Sequence, residues 1–363
     1  MGAFRPCGGS LRQKFFHRPK GNHHVKCLIV AMAMMALAIT DSAVAASRSF
    51  EMNIQDTEIT LVNNQKYHTF AFNGQVPAPL IYADEGDDIT VVVNNLTAMN
   101  HTIHWHGLFQ KNNWKMDGVP GVTQEAIKPG ESFTYHFKAE PAGTLWYHCH
   151  VNTNEHVDLR GMWGPLIIRP KHPTALEKTV TKDFILMLSE WDSKWADKPG
   201  SGGLPTDQPD YFTINGKSYP EVQPIRIKEG DVVRIRLIGT GDKVHSIHIH
   251  GHDFLIAFKD GQPLKSPIVA DTVLIGPGER YDLIFKADNP GRWMVHDHIE
   301  SHTVNGNQPM GGIMTVIEYE GIPNDPWYEL GDHKFVPNFY YEESLKKGPG
   351  FYNTDVFHGK VIE

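Results

Sequence analysis

Cysteine is scarce in this chain, with only three among 363 residues. An exported protein ordinarily uses its cysteines in disulfide pairs. Cys7 and Cys27 lie in the N-terminal segment 1–45, so the rest of the chain keeps only Cys149. A single thiol cannot form an internal disulfide, and its remaining uses are as a metal ligand, a nucleophile or an intermolecular bridge.

Positive charge is also in short supply, because 34 Lys and Arg residues face 42 Asp and Glu residues, a formal net charge of -8. Segment 1–45 contains six basic residues and one acidic residue, so removing it takes the net charge to -13. Such an acidic balance argues against nucleic acid or an anionic membrane surface as the partner.

The apolar run 27–39 is 13 residues long, short of the roughly 20 that span a membrane. It follows a basic segment and precedes Ala43-Val44-Ala45, a small-x-small cleavage site. This order is typical of a secretory signal. We therefore predict a cleaved signal over 1–45, export across the inner membrane to the periplasm or the exterior, and no stable membrane insertion. An uncleaved anchor is the alternative.

The remaining chain shows no convincing helical periodicity and contains a tandem repeat. Residues 86–109 match 230–254, and residues 127–151 match 275–299. Short runs rich in Val, Ile, Thr, Tyr and Phe alternate with Gly, Pro, Asn and Asp turns, which predicts strands.

The repeat predicts an all-β fold of two β-sandwich domains in series. We place the first domain at 46–172 and the second at 173–320, with a loop around 196–210 and a C-terminal extension at 321–363. Each predicted domain has the length of a single-core unit.

Histidine is abundant and clustered. Of the 18 histidines beyond residue 45, thirteen fall in four short segments. These segments are HTIHWHG (101–107), HCHVNTNEH (148–156), HSIHIHGH (245–252) and HDHIESH (296–302). Scattered core or surface histidines would not recur at matching repeat positions, so the four segments predict metal ligation.

Each segment contains an H-x-H pair, and residues two apart on a strand share one face. The four pairs supply eight imidazoles, more than one metal ion can use: His104, His106, His148, His150, His248, His250, His296 and His298. Ligation by imidazole alone favours copper or zinc over calcium or magnesium.

Cys149 lies between His148 and His150, so its side chain points to the opposite face. Candidate partners on that face are His101, His156 and Met162. Two histidines, a thiolate and a weak thioether form the ligand set of blue-copper electron-transfer sites. Zinc has neither a use for the thioether nor redox chemistry.

The four segments together resemble multicopper oxidases of laccase type, specifically the two-domain (small) members. The resemblance covers nearly all of residues 50–320. It implies two tandem cupredoxin-like Greek-key domains and four coppers per chain: one type 1, one type 2 and two type 3. It also implies that O2 is reduced to water with single electrons taken from a phenolic or similar small donor.

Residue by residue, the resemblance implies a type 1 site of His101, Cys149, His156 and Met162. It implies type 2 ligands at His104 and His248. The type 3 ligands are then His106, His148, His150, His250, His296 and His298. Asp117 and Glu300 match acidic residues that deliver protons in the family.

The chain departs from the family pattern at two places. The interval from Cys149 to His156 is longer than usual. In the second half Asp297 stands where a cysteine would be, so no blue copper is expected there. His245, His302 and Met310 then resemble remnants of a lost site, but we favour the interpretation that they are ordinary packed core or surface residues.

Each domain holds half of the cluster ligands, so the halves must meet. The family resemblance implies head-to-tail contact between chains, closing a homotrimer with clusters at subunit interfaces. Three alternatives stay open: a copper nitrite reductase, a copper-storage protein and a cuprous or other metal-ion oxidase. The reductase needs only three cluster histidines, and no Met-rich segment supports storage or metal oxidation.

Overall fold

The computed structural model describes residues 45–196 and 208–322. Most of the predicted signal segment 1–45, the C-terminal extension beyond residue 322 and most of the predicted loop lie outside the described residues. Within the described ranges, no helix combines the length and apolarity needed to cross a bilayer.

Strands dominate the described residues, which confirms the all-β prediction. The first eight strands are β1 (Ser47–Val62), β2 (Gln65–Phe72), β3 (Ile81–Asp84), β4 (Asp88–Asn95), β5 (His104–His106), β6 (Ser132–Lys138), β7 (Gly143–His148) and β8 (Trp163–Arg169). One short helix, α1 (Thr153–His156), lies between β7 and β8.

Thirteen further strands are described after β8. They are β9 (Lys182–Trp191), β10 (Tyr211–Ile214), β11 (Ile225–Ile227), β12 (Val232–Gly239), β13 (His245–Ile249), β14 (Phe254–Lys259), β15 (Gln262–Ala270), β16 (Thr272–Ile275), β17 (Arg280–Lys286), β18 (Arg292–Asp297), β19 (Val304–Asn305), β20 (Gln308–Pro309) and β21 (Met314–Tyr319). Single 3-10 turns cover Trp114–Met116, Glu177–Thr179, Ser193–Trp195 and Glu300–His302.

The first eight strands form two four-stranded sheets, in the orders β2-β1-β4-β6 and β3-β8-β7-β5. β4 explains why they face each other, because its residues alternate strictly between exposed or half-buried and buried positions. The buried faces enclose one apolar core that includes Trp105, Tyr147 and Cys149.

The later strands form an eight-stranded sheet, β15-β14-β17-β12-β9-β10-β19-β20, and a five-stranded sheet, β11-β21-β18-β13-β16. A second apolar core lies between them. The predicted boundary at 172/173 falls between β8 and β9, and it stays a prediction.

A third apolar cluster joins the two halves. It packs Trp146 and Trp163 from the first half against Met187, Trp191 and Ile238 from the second. Burying such large aromatic and aliphatic groups stabilises the contact, since each contributes about 1.5–3 kcal/mol on burial. The halves are therefore fixed against one another within the chain.

Candidate metal centres

The loop after β7 places two donor types on opposite sides of the backbone. His148 is the last residue of β7, and Cys149 follows it with a fully buried side chain inside the first core. The Sγ of Cys149 lies 3.6 Å from Nδ1 of His101 and 3.4 Å from Nδ1 of His156. Three of the four residues predicted for the blue-copper site thus converge on one point.

The protonation of these groups suits a soft metal. Burial, followed by the neighbouring His156, lowers the pKa of His101 to about 3, and burial lowers that of His156 to about 4. Both rings are therefore neutral at pH 7. Nε2 of His101 contacts the hydroxyl of Thr97 at 2.9 Å, which leaves Nδ1 as the lone pair facing the thiol. Burial raises the pKa of Cys149 to about 11, so a bound metal must displace that proton.

The backbone of Met162 is hydrogen-bonded to two of the predicted type 1 ligands, His156 and Cys149. Its amide donates to the carbonyl of His156 at 3.0 Å, and its carbonyl accepts from the amide of Cys149 at 3.0 Å. The methionine side chain is fully buried. The segment between Cys149 and Met162 is long, and it is held by a fully buried ion pair of Glu155 and Arg160 (N···O 3.5 Å).

The four first-half histidines of the H-x-H pairs form one compact group, which we call the first histidine group (His104, His106, His148 and His150). The ring of His104 lies 5.6 Å from His106, 5.2 Å from His148 and 5.4 Å from His150 between centroids. His104, His106 and His148 bring one nitrogen each within 4.8 Å of one another.

Backbone carbonyls orient these rings. Nδ1 of His104 donates to the carbonyl of Asp117 at 2.8 Å, and Nδ1 of His148 donates to that of Cys149 at 2.8 Å. With Nδ1 protonated, Nε2 carries the lone pair that can bind a metal. Gly118 makes the first contact possible, because a Cβ there would collide with the carbonyl oxygen of Ile103.

The second histidine group consists of His248, His250, His296 and His298. Centroid distances are 4.8 Å from His248 to His250, 5.2 Å from His250 to His296 and 5.5 Å from His296 to His298. The Nε2 atoms of His250 and His296 face each other at 3.1 Å. Nδ1 of His248 and Nδ1 of His296 each donate a hydrogen bond to a backbone carbonyl at 2.9 Å. In both rings Nε2 therefore carries the lone pair that can bind a metal.

The two predicted carboxylates differ in placement. Oδ1 of Asp117 lies 3.5 Å from Nδ1 of His104, beside the first histidine group. Glu300 is exposed at the start of a 3-10 turn, two residues after His298. Its charge acts to raise the pKa of His296, although burial has the larger effect and lowers that pKa.

Asp297 occupies the place of Cys149 in the second half. The amide of Cys149 pairs with the carbonyl of Met162, and the amide of Asp297 pairs with that of Ile313, both at 3.0 Å. Ile313 rather than Met310 is thus the counterpart of the methionine. The backbone pairing aligns Ile313 with Met162 because the second half has three more residues in this interval, which agrees with the favoured interpretation of Met310 as an ordinary structural residue.

His245 and His302 do lie at the corresponding buried position. Each presents Nδ1 to Oδ2 of Asp297 at 2.8 Å. Burial lowers the pKa of His245, but its hydrogen bond with Asp297 and the nearby carboxylate of Glu190, 3.6 Å from Nε2, outweigh it and raise that pKa to about 9. Hydrogen bonds from both histidines hold the pKa of Asp297 well below its usual range, against burial.

Sequence reasoning missed the residues that orient the ligands. Thr97 fixes His101 from four residues upstream, and the carbonyl of Asp271 fixes His248 across the sheet. Neither forms a recognisable motif with its histidine. Gly118, in the Met116-Asp117-Gly118 turn, is the one sequence signal that indicates a close backbone approach near His104.

The donor atoms present fit copper. The first site combines a thiol with two imidazole Nδ1 atoms, and each histidine group offers several imidazole Nε2 atoms. Copper prefers such sulfur and imidazole ligands. Carboxylates lie only at the edges of these sites.

Comparison with known proteins agrees with this chemistry. Family models described as multicopper oxidase match residues 53–173 and 196–310. Laccase-15 of Oryza sativa subsp. japonica is 32% identical over 286 residues, covering 74% of this chain and 47% of that protein. The chain thus spans about half the length of this relative.

Two solved structures are similar over nearly their whole length. The blue copper oxidase of Nitrosomonas europaea shares 66% identity, with a TM-score of 0.76, covering 83% of this chain and 95% of that one. The multicopper oxidase mgLAC shares 57% identity, with a TM-score of 0.76, covering 84% and 96%. Both halves of the chain and both kinds of donor set therefore lead to one assignment: the protein belongs to the multicopper oxidase family.

Proposed function

We propose that the protein is a laccase-like oxidase with four coppers per chain, which takes single electrons from a small reducing donor and reduces O2 to water. One observation carries this proposal. The thiol of Cys149 meets two imidazole nitrogens in the core, while its neighbours His148 and His150 belong to a histidine group on the other side of the backbone.

The ligand roles proposed here are those that the family resemblance implies, and the donor atoms of the described residues are compatible with them. His101, Cys149, His156 and Met162 would hold the type 1 copper. His104 and His248 would hold the type 2 copper. The type 3 pair would be held by His106, His148, His150, His250, His296 and His298. Copper would supply one-electron redox chemistry at the first site and would bind and reduce O2 at the cluster.

The chain's own residues prepare both sites. Buried neutral imidazoles leave their lone pairs available at pH 7. The backbone from Cys149 to His148 is the short covalent connection between the two sites. The carbonyl of Cys149 also accepts from Nδ1 of His148 at 2.8 Å, which adds a hydrogen bond to this path.

Asp117 is the better placed of the two proposed proton donors. Its carboxylate lies beside His104 with a side chain about 30% exposed, so it can exchange protons with water and present them to the cluster. Glu300 is proposed for the same role near the second histidine group, where it is exposed two residues after His298.

The assembly proposal rests on the separation of the two histidine groups. Among the described residues, ring contacts join histidines within each group, and none joins a first-group ring to a second-group ring. A complete cluster then needs the second group of another chain. We propose a head-to-tail homotrimer in the periplasm or exterior. A monomeric protein with full oxidase activity would contradict this.

Oxygen uptake tests the function directly. The copper-loaded protein with a phenolic donor is expected to consume O2 without accumulating peroxide. The same donor with nitrite under anaerobic conditions is expected to give no turnover. Nitrite turnover without oxygen uptake would instead assign the protein to the copper nitrite reductases, and the paired histidines would then need another explanation.

A further inference from the structure

The carboxylate of Asp297 is fully engaged by hydrogen-bond donors. Its Oδ2 accepts from Nδ1 of His245 and Nδ1 of His302, each at 2.8 Å. Its Oδ1 accepts from the backbone amides of Ser246 at 2.9 Å and Ile299 at 3.0 Å. A carboxylate oxygen can only accept, so both Nδ1 atoms carry protons.

This arrangement engages in hydrogen bonds the nitrogen atoms that a metal would need. The Nδ1 atoms that matched ligands would use are donors to Asp297, and Ile313 supplies only an apolar group where Met162 stands in the first half. A structural zinc site needs four ligands, and the cluster offers three.

The rings of His245 and His302 also contact other buried side chains on the side away from Asp297. Nε2 of His245 faces Oε2 of the buried Glu190 at 3.6 Å, and Oε1 of Glu190 accepts the amide of Lys243 at 2.7 Å. The ring of His302 stacks on Phe212 with centroids 4.3 Å apart. Both imidazoles are therefore held in one orientation without help from an ion.

Further hydrogen bonds from the backbone of Asp297 and of its partner Ser246 hold the second histidine group. Ser246 donates its amide to Asp297, and its carbonyl accepts the amide of His298 at 2.7 Å. The carbonyl of Asp297 accepts from Nδ1 of His296 at 2.9 Å. Asp297 thus connects β13 and β18, the strands that present His248 and His296.

We propose that Asp297, clasped by His245 and His302, is a metal-free clamp that positions His296 and His298 for the copper cluster. The clamp does for the second half what a copper–thiolate centre would do for His148 and His150 in the first. Asp297 is a positioning residue, and the inference rests on the proposed copper cluster for its consequence.

The first test uses the metal-free full-length protein. Asp297→Asn keeps the size of the side chain but places an NH2 group against existing donors, so we expect the melting temperature to fall by about 3–8 °C. The matched control is Asp231→Asn in the same half, because Asp231 is a buried carboxylate that hydrogen-bonds Lys228 and Thr181 rather than histidines. An equal or larger shift in the control would overturn the clamp.

The second test uses copper-loaded protein and two substitutions of one residue. His302→Gln keeps an N–H donor near Asp297, whereas His302→Leu does not. We expect His302→Leu to lose cluster copper, with affinity about 10–100-fold weaker, while its blue absorbance per chain is unchanged. His302→Gln is expected to retain most of the cluster copper.

The outcomes separate the clamp from its rivals. One zinc per chain in the wild-type protein, lost equally in both His302 variants, would overturn the metal-free assignment. Full cluster copper in Asp297→Asn and His302→Leu would overturn the positioning role. Failure of the wild-type protein to bind cluster copper would instead refute the proposed function, and the melting comparison would still decide whether the clamp exists.

Discussion

At the scale of single residues, the ligand rings are oriented by groups that do not themselves bind metal. Thr97 is one of them, because its hydroxyl meets Nε2 of His101 while Nδ1 faces Cys149. Outer partners of this kind fix the ring and its tautomer, and they commonly change metal affinity by about 10–100-fold when removed.

Replacing Thr97 tests this role. Thr97→Val keeps the side-chain shape and removes the hydroxyl, so we expect type 1 copper to bind about 10–100-fold more weakly. Titration of copper against a chelator, followed by the blue absorbance, measures the change. Thr90→Val is the control, because Thr90 contacts the exposed His136 instead. Equal copper affinity in the two variants would contradict the role of Thr97.

Asp117 acts at the same scale through its side chain alone. Asp117→Asn keeps the backbone carbonyl that orients His104, so copper content should not change. Loss of the carboxylate should slow oxygen reduction by about 10²–10⁴-fold if it delivers protons. The donor should still reduce the type 1 copper at the wild-type rate in an anaerobic stopped-flow experiment. Unchanged oxygen uptake would assign proton delivery elsewhere.

At the scale of elements, the segment from β7 to β8 carries most of the chemistry. It holds Cys149, His156 and Met162, and it is fastened by the buried pair of Glu155 and Arg160. Arg160 also donates to the carbonyl of His68 at 2.6 Å, which ties the segment to β2.

Breaking this pair should loosen the type 1 site first. Arg160→Leu leaves Glu155 buried without its cation, which costs about 3–5 kcal/mol of unfolding free energy. Chemical denaturation and the blue absorbance should both report it. The control is Lys111→Leu, since the Lys111–Glu140 pair is exposed and worth about 1 kcal/mol or less. Similar destabilisation by both substitutions would contradict the argument.

The ion pairs joining β9, β13 and β18 predict a pH dependence in the second half. His245 lies between Glu190 and Asp297, with the ring of His302 5.2 Å away, and its pKa is raised to about 9. Because this pKa exceeds the ordinary 6.5, the stabilisation is complete below pH 6.5 and is lost as pH rises through 9.

Glu190→Gln isolates this contribution in metal-free protein. The wild type should lose up to about 3 kcal/mol of stability between pH 6.5 and 9 from this histidine, at roughly 1.4 kcal/mol per pKa unit. The variant should lose less, because one carboxylate no longer favours the charged ring. Denaturation midpoints at pH 6, 7.5 and 9.5 measure both slopes. Parallel slopes would contradict the assignment.

Element-level reasoning from sequence succeeded where local periodicity controls the structure. The H-x-H spacing predicted that paired imidazoles share a face, and the rings do lie within 6 Å of each other although His150, His250 and His298 fall just beyond their strands. Sequence separation alone could not identify Ile313 as the counterpart of Met162, because three additional residues change the separation from Asp297 without changing the backbone pairing.

At the scale of the whole molecule, the repeat predicted an all-β chain with two sandwiches and two kinds of donor set. It could not predict the hydrogen bonds made by Thr97, Asp271 and Glu190, because these join residues through folded geometry rather than through sequence spacing. The sequence shows that Asp297 replaces a cysteine in the second half. It does not show that His245 and His302 both hydrogen-bond to the carboxylate of Asp297.

The central claim is that one chain supplies ligands for four coppers, with Cys149 as the ligand that makes one of them blue. The most direct measurement is the copper content per chain of the purified full-length protein and of Cys149→Ser, with the visible spectrum of each. We predict four coppers and a blue protein for the wild type, and three coppers without blue absorbance for the variant. Two coppers per wild-type chain, or an unchanged blue colour in Cys149→Ser, would contradict the account.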